Sequence, residues 1–292
     1  MIGLASRRRR SALESVGVGT MVGRVVFGIL FVFWTLLPLY TAISAAFTSR
    51  SDIFSGRLWP EHPTFENFRL LLFGGAESPL PLFWLQLGNS LISAASVTVL
   101  ALTISAAASY AISRLMPSWG TPVSSAALVL YIVPASFLVI PLYLLLGGMG
   151  LLDTLVGLIV GLTMISLPYS VWMLRQFGAT LPIEIEEAAK LDGAGPVRIF
   201  GSVYLPLIRS ALVPVGLYVF LLAWNDFLYS FMFLTRAEQL TVPVAMYSIA
   251  TENAPWPQLM ASGMIYAVIP LMLFIFFRRY LVSGTTQGAT VG

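Results

Sequence analysis

An all-α, polytopic membrane helix bundle is the fold class this 292-residue sequence predicts, on three observations. The chain is 58% hydrophobic and only 10% charged, where a soluble domain carries about a quarter of its residues as charge. Its apolar residues gather into runs of about 20, the length that crosses about 30 Å of hydrocarbon as a helix. The Lys and Arg residues between those runs fall mostly on alternate connections, the bias that orients membrane proteins.

Six transmembrane helices are expected, over 25–47, 88–112, 123–146, 155–174, 207–234 and 259–277. The first follows Arg7, Arg8, Arg9 and Arg10 as a signal peptide would. It is longer than the 7–15 apolar residues of a signal core, so it reads as a retained anchor. The arginine cluster reads as a topogenic signal in preference to a lipid-attracting patch. Pro134 and Pro141 fall inside the third span, Pro214 and Gly216 inside the fifth, and Pro270 inside the sixth. Proline is tolerated there when neighbours satisfy the freed carbonyl. The fifth span is long enough to be tilted or broken.

Placing the N-terminus in the cytoplasm and alternating puts twelve of the sixteen basic residues inside. Arg50, Arg57, Arg69 and Arg236 fall outside. Both termini are therefore expected in the cytoplasm. The organisation that follows is a tail over 1–24, a transmembrane domain over 25–281 and a tail over 282–292. The outer segment 48–87 is rich in Pro and Gly, and Phe65-Glu66-Asn67-Phe68 suggests a short interfacial helix within it. Without cysteine there is no disulfide, thiolate metal site or cysteine nucleophile. His62, the only histidine, sits in an outer loop beside Pro63 and is not expected to bind metal or catalyse.

The cytoplasmic segment 181–206 reads as two short helices joined by a turn. Pro182 suits a first helical position. Glu184, Glu186 and Glu187 complement the positive end of the helix dipole, and Lys190 the negative end. Gly193 can take the left-handed conformation that ends a helix. Pro196 begins a second helix, with Phe200, Val203 and Leu207 on one face, and Pro206 closes it near the bilayer. Such a hairpin is either a solvated loop folded on itself or a docking knob for a soluble partner; periodicity does not choose.

The spacing within it resembles the cytoplasmic signature of ABC-importer permeases. Glu187-Ala188-Ala189 is followed by Gly193, Val203 and Leu205-Pro206 at the family's intervals. Trp224-Asn225-Asp226-Phe227 and the Gly/Thr-rich tail resemble the maltose-type, carbohydrate-uptake branch, and six spans without a long insertion resemble the shorter permease of such a pair. The resemblance implies the bacterial inner membrane and a coupling role for Glu187, Ala188, Ala189, Asp192, Gly193, Leu205 and Pro206. It also implies partners: a second permease, an ATPase dimer carrying ATP and magnesium, a solute-binding protein outside, and a sugar. No cofactor, metal or catalytic group is expected in the chain itself, because its only lysine, Lys190, follows Ala189 and cannot belong to a phosphate-binding loop.

Candidates for the substrate path are polar or aromatic groups near the outer boundary. Asp226 reads as a pore-lining or gating group, as a helix-interface hydrogen bond, or as an interfacial residue near headgroups, since ionisable groups at membrane depth face a cavity or a partner. Asn225 lies beside it. Trp224, Tyr218 and Tyr229 read as sugar-stacking surfaces or as interfacial belt residues. Asn89 is a polar candidate or a helix cap. In the outer loop 235–258, Asn253, Pro255 and Trp256 are where the resemblance places contact with a binding protein; a plain connector is the other reading. An ion-coupled secondary transporter is the rival function, with Asp226 its one clear coupling carboxylate. A membrane enzyme would need an acid–histidine cluster that the sequence does not bring together.

Overall fold

The computed structural model describes residues 18–53, 55–250 and 254–286, and every regular element among them is helical. The chain divides into two compact units: Met1–Phe68 with Trp256–Met264, and Arg69–Pro255 with Ile265–Gly292.

In the first unit, α1 (Val18–Ala46) buries none of its most apolar stretch. Such a surface is stable against hydrocarbon or another apolar helix, and not against water. The chain leaving α1 is tied back onto its end. Asn67 Nδ2 donates to the Ala46 and Thr48 carbonyls at 2.8 and 2.9 Å, satisfying acceptors that a helix terminus leaves open. Phe47 packs among Trp59, Phe65 and Phe68. The short helix expected around residues 65–68 is the start of α2 (Glu66–Phe73).

The second unit is built on three long helices. The first, α3 (Phe83–Tyr110), runs on through a π-helical turn, Ala111–Leu115. After α4 (Pro117–Ile132) and α5 (Ala135–Gly148) comes α6 (Leu155–Ala179). The hairpin helix α7 (Glu184–Leu191) and one turn, α8 (Pro196–Ile199), follow; a second π-helical turn, Phe200–Tyr204, leads into α9 (Leu205–Trp224). Two short helices, α10 (Leu228–Phe233) and α11 (Val242–Ser248), precede α12 (Trp256–Thr286). Helices α3, α6 and α9 enclose the core: Ala94, Val97 and Ala101 meet Leu158, Leu162, Leu174, Val215 and Val219. Buried Ser93, Ser105, Ser166 and Ser170 let the backbones approach closely. Ser166 and Ser170 return their hydroxyls to carbonyls of α6 at 2.9 Å, so the dry core holds them without a cross-helix partner.

Among the described residues, five helices are long and apolar enough to cross a membrane, and a sixth span exists if the bent pair α4–α5 counts as one. The third expected span is therefore not a single rod: it turns by 98° between Ile132 and Ala135. Pro134 supplies the reason, since it lacks an N–H and drives the preceding residue out of the helical region; Val133 is extended, with ψ 124°. The fifth expected span also differs at both ends. It breaks after Trp224, and at its start the second arm of the hairpin does not close at Pro206 but runs unbroken from Pro196 to Trp224. The π turn widens the backbone where the prolyl ring would collide with the carbonyl four residues back.

Candidate functional site

The turn of the hairpin is built as its sequence requires, although α7 begins at Glu184 and leaves Pro182 two residues ahead of it and not at its first helical position. Gly193 adopts φ +81°. The Ala194 N–H donates to the Ala189 carbonyl and the Gly193 N–H to the Lys190 carbonyl, both at 3.0 Å, which is the paired closure of a Schellman motif. Glu187, Ala188, Asp192 and Gly193 are exposed, while Ala189 and Leu205 are half-buried and packed on the core. Pro206 is exposed on the continuing helix. Two large apolar side chains project beside these residues, Leu191 at 90% exposure and Val197 at 85%, one from each arm. Neither was singled out from the sequence, although they are the residues that water solvates least well.

Beneath the hairpin lies a joint that sequence reasoning missed. Arg114, on the π turn ending α3, donates through Nε to Glu186 Oε1 at 2.7 Å, and the two side chains are 9% and 1% exposed. Its Nη2 donates to the carbonyls of Gly178 and Leu181 at 3.1 and 3.3 Å, capping the end of α6. The same guanidinium stands 6.0 Å from the centre of the Tyr204 ring. Tyr204 in turn shares a 2.7 Å hydrogen bond with Ser109 and packs on Tyr110. One cation thus joins α3, α6, α7 and the start of α9. Glu186 reads from sequence as a dipole-complementing residue; the signal that could have found its partner is a lone arginine closing an apolar run.

At the opposite end, the sequence-predicted polar residues are occupied by the fold. Asn89 lies within α3, not at a cap, and its Nδ2 donates to the Glu238 and Leu240 carbonyls at 2.8 and 3.0 Å. Ser90 Oγ accepts from the Val242 N–H at 3.0 Å, so this row on α3 holds the 238–242 chain. Asp226 sits in the break after α9 and caps α10. Its carboxylate accepts from the N–H groups of Tyr229 and Ser230 at 3.3 and 2.9 Å, and from the Ser230 hydroxyl at 2.8 Å. Tyr229 is buried and donates to the Ala135 carbonyl at 2.6 Å, bracing the bend between α4 and α5. Trp224 is buried between Phe220 and Tyr266. Asn225 donates to the Leu221 carbonyl at 2.9 Å and remains exposed. Trp256, the first residue of α12, is exposed and Pro255 half-buried; Asn253 lies outside the described residues.

Asp153 makes a second clasp at this end. It holds φ +58° between α5 and α6. Its Oδ1 accepts from the N–H groups of Thr235 and Arg236 at 2.9 and 3.0 Å, and its Oδ2 from Arg236 Nε at 2.6 Å. These hydrogen bonds, the Arg236 N–H foremost, hold its carboxyl at about 2, well below the usual carboxylate value. A cleft of about 500 Å³ lies among Leu91, Leu102, Leu212, Gly216, Phe220 and Leu273. Its walls are almost wholly apolar, a chemistry suited to acyl chains and not to a hydroxyl-rich solute.

Comparison with known proteins adds four findings. Residues 104–286 match the family described as the binding-protein-dependent transport system inner membrane component. The chain is 33% identical to the trehalose transport system permease protein SugB of Mycobacterium tuberculosis, over 91% of this chain and 96% of that protein. It is 30% identical to the trehalose/maltose transport system permease protein MalG of Thermococcus litoralis, over 92% and 96%. Its fold is similar to a chain in the crystal structure of a bacterial ABC transporter involved in alginate import, with TM-score 0.74 and 21% identity over 91% of this chain and 97% of that one.

Proposed function

The chain belongs to the family of binding-protein-dependent transport system inner membrane components, and from that premise we propose that it is the permease subunit of an ABC importer for a sugar or sugar derivative. The reading is supported by relatives named for trehalose and maltose transport. Uptake proceeds by alternating access, with energy from ATP and magnesium on separate ATPase subunits. A second permease of the same fold completes the pore, and both termini of this chain lie in the cytoplasm. A solute-binding protein delivers sugar on the far side, where Pro255, Trp256 and Asn253 offer contacts.

The observation that carries the reading is the hairpin at the foot of the bundle. Leu191 and Val197 are anchors for a cleft in the ATPase, with Glu187, Ala188, Asp192 and Gly193 around them. ATP-driven closure of the ATPase dimer displaces that anchor pair. Differential affinity of the dimer for two positions of the hairpin then shifts the bundle between inward- and outward-facing states.

The test is purification from the membrane. The chain should bring down another permease and two ATPase copies, and the complex should accumulate sugar in proteoliposomes only with ATP and a binding protein. Leu191→Asp with Val197→Asp should release the ATPase while this chain stays folded in the membrane. Uptake by the isolated chain under an ion gradient would sink the reading.

A further inference from the structure

Three helices bring aromatic side chains together away from either end of the bundle. Tyr169 lies near the midpoint of α6, its ring centre 4.1 Å from that of Tyr218 on α9 and 5.2 Å from that of Tyr131 on α4. Trp172, one turn along α6, stands 6.3 Å from Tyr169. The hydroxyls of Tyr131 and Tyr218 share one hydrogen bond of 3.0 Å. Tyr131 is 42% exposed, and Tyr169, Trp172 and Tyr218 are half-buried.

Two features of this face do not suit hydrocarbon. The first is hydroxyl chemistry: a shared hydrogen bond between two phenols uses one of their two O–H donors and leaves the other open. The Tyr169 hydroxyl has no hydrogen-bond partner among the described residues. An unsatisfied polar group is not stable against lipid, which offers it no hydrogen-bond partner. The second is the backbone, since Tyr131 stands directly before the bend at Val133 and Pro134. Non-helical backbone at membrane depth persists only inside protein or beside a water-filled cavity. The cleft beside α9 shows the contrast, because its walls carry almost no polar surface.

We propose that Tyr131, Tyr169, Trp172 and Tyr218 form a sugar-binding patch on this subunit's side of the translocation path. The assignment rests on the importer reading above and deepens it. Ring faces stack on the C–H faces of a pyranose, and the phenols exchange hydrogen bonds with its hydroxyls. The α4–α5 bend opens the wall of the path at the level where those rings stand.

The chain contains no cysteine, so Tyr169→Cys and Tyr218→Cys each introduce a single thiol into it. In the reconstituted complex, a charged, membrane-impermeant thiosulfonate should label these thiols in the nucleotide-free or the ATP-trapped state. Absence of labelling in both states, meaning that lipid or the second permease covers the face, would overturn the proposal. Uptake is then measured with radiolabelled trehalose, maltose and diacetylchitobiose as probes. Tyr169→Leu and Tyr218→Phe should lower maximal uptake of a transported probe about tenfold, the scale of a lost stacking or hydrogen-bonding contact. Assembly and binding-protein-stimulated ATP hydrolysis should persist. Wild-type uptake by both variants, or loss of the second permease from both, overturns the patch. A wild-type complex that imports none of the probes removes the sugar reading itself, while the labelling still decides whether the face is wet.

Discussion

Arg114 Nε stands 2.7 Å from Glu186 Oε1, joining residues 72 positions apart across the foot of the bundle. With both side chains nearly buried, the pair makes the hairpin part of the helix assembly and not a knob on a loose tether. Removing one member of a buried pair costs about 3–5 kcal/mol, because the other charge is left uncompensated. Arg114→Met and Glu186→Gln should each lower the thermal midpoint of the purified complex and reduce sugar transported per ATP hydrolysed. Arg114→Glu combined with Glu186→Arg should be less damaging than either reversal alone. Equal damage from the double variant would mean that the pair does not act as a unit.

Gly193 meets no atom within 4 Å of where a Cβ would stand, so a substitution there acts through the backbone alone. Holding an L-residue at φ +81° costs about 1–2 kcal/mol, and less for Asn. Gly193→Val should loosen the end of α7 and cut transport several-fold with unchanged membrane insertion, whereas Gly193→Asn should stay near wild type. ATP-dependent uptake in vesicles, normalised to the amount of chain, reads the difference.

A Cβ added at Gly178 would collide with the Tyr204 hydroxyl. Gly178→Ala should therefore destabilise the complex by about 1–3 kcal/mol, the usual range for overpacking. Adding Tyr204→Phe removes the colliding oxygen and should recover part of the loss, though not all, because Ser109 then loses its partner. Thermal unfolding followed by tryptophan fluorescence measures both steps.

The Asp153 clasp is sensitive to acid. A carboxyl whose folded value is depressed stabilises the folded state fully above its unfolded value, and that contribution disappears as pH falls through the folded value. For Asp153 the window runs from 3.8 down to about 2. Amide exchange at Thr235 and Arg236, whose N–H groups bond Asp153 Oδ1, should accelerate relative to neighbouring amides across that window. Asp153→Asn should remove the pH dependence. Asp153→Ala should also raise exchange at neutral pH, since Ala tolerates φ +58° less well than Asp or Asn.

Features governed by short-range chemistry were readable in the sequence. Hydrophobic run length located the spans, and the glutamates, Lys190 and Gly193 outlined α7 because capping acts within a few residues. The bend at Pro134 was foreseeable as a kink, but its 98° angle depends on what braces it, including the Tyr229 bond to Ala135. Asp226 carries the same ambiguity in sequence as any carboxylate at membrane depth; only the placement of Tyr229 and Ser230 assigns its oxygens. A lone arginine closing an apolar run and Tyr218 itself were visible, but the pairing of Arg114 with Glu186 and the grouping of Tyr218 with Tyr131, Tyr169 and Trp172 were hidden for a different reason. Their members come from helices far apart in the chain, and helical periodicity carries no record of which faces meet.

The unbroken run from Pro196 to Trp224 gives the subunit a lever arm. At about 1.5 Å per residue its 29 residues span some 40 Å. A tilt of about 10° pivoting at the Leu191–Val197 end carries Trp224 sideways by about 7 Å on that geometry. A flexible hinge at Pro206 would have absorbed such a rotation near its source. An arm continuous through Pro206 would instead deliver it to the Asn225–Phe227 break, where the Asp226 cap begins a separate short helix.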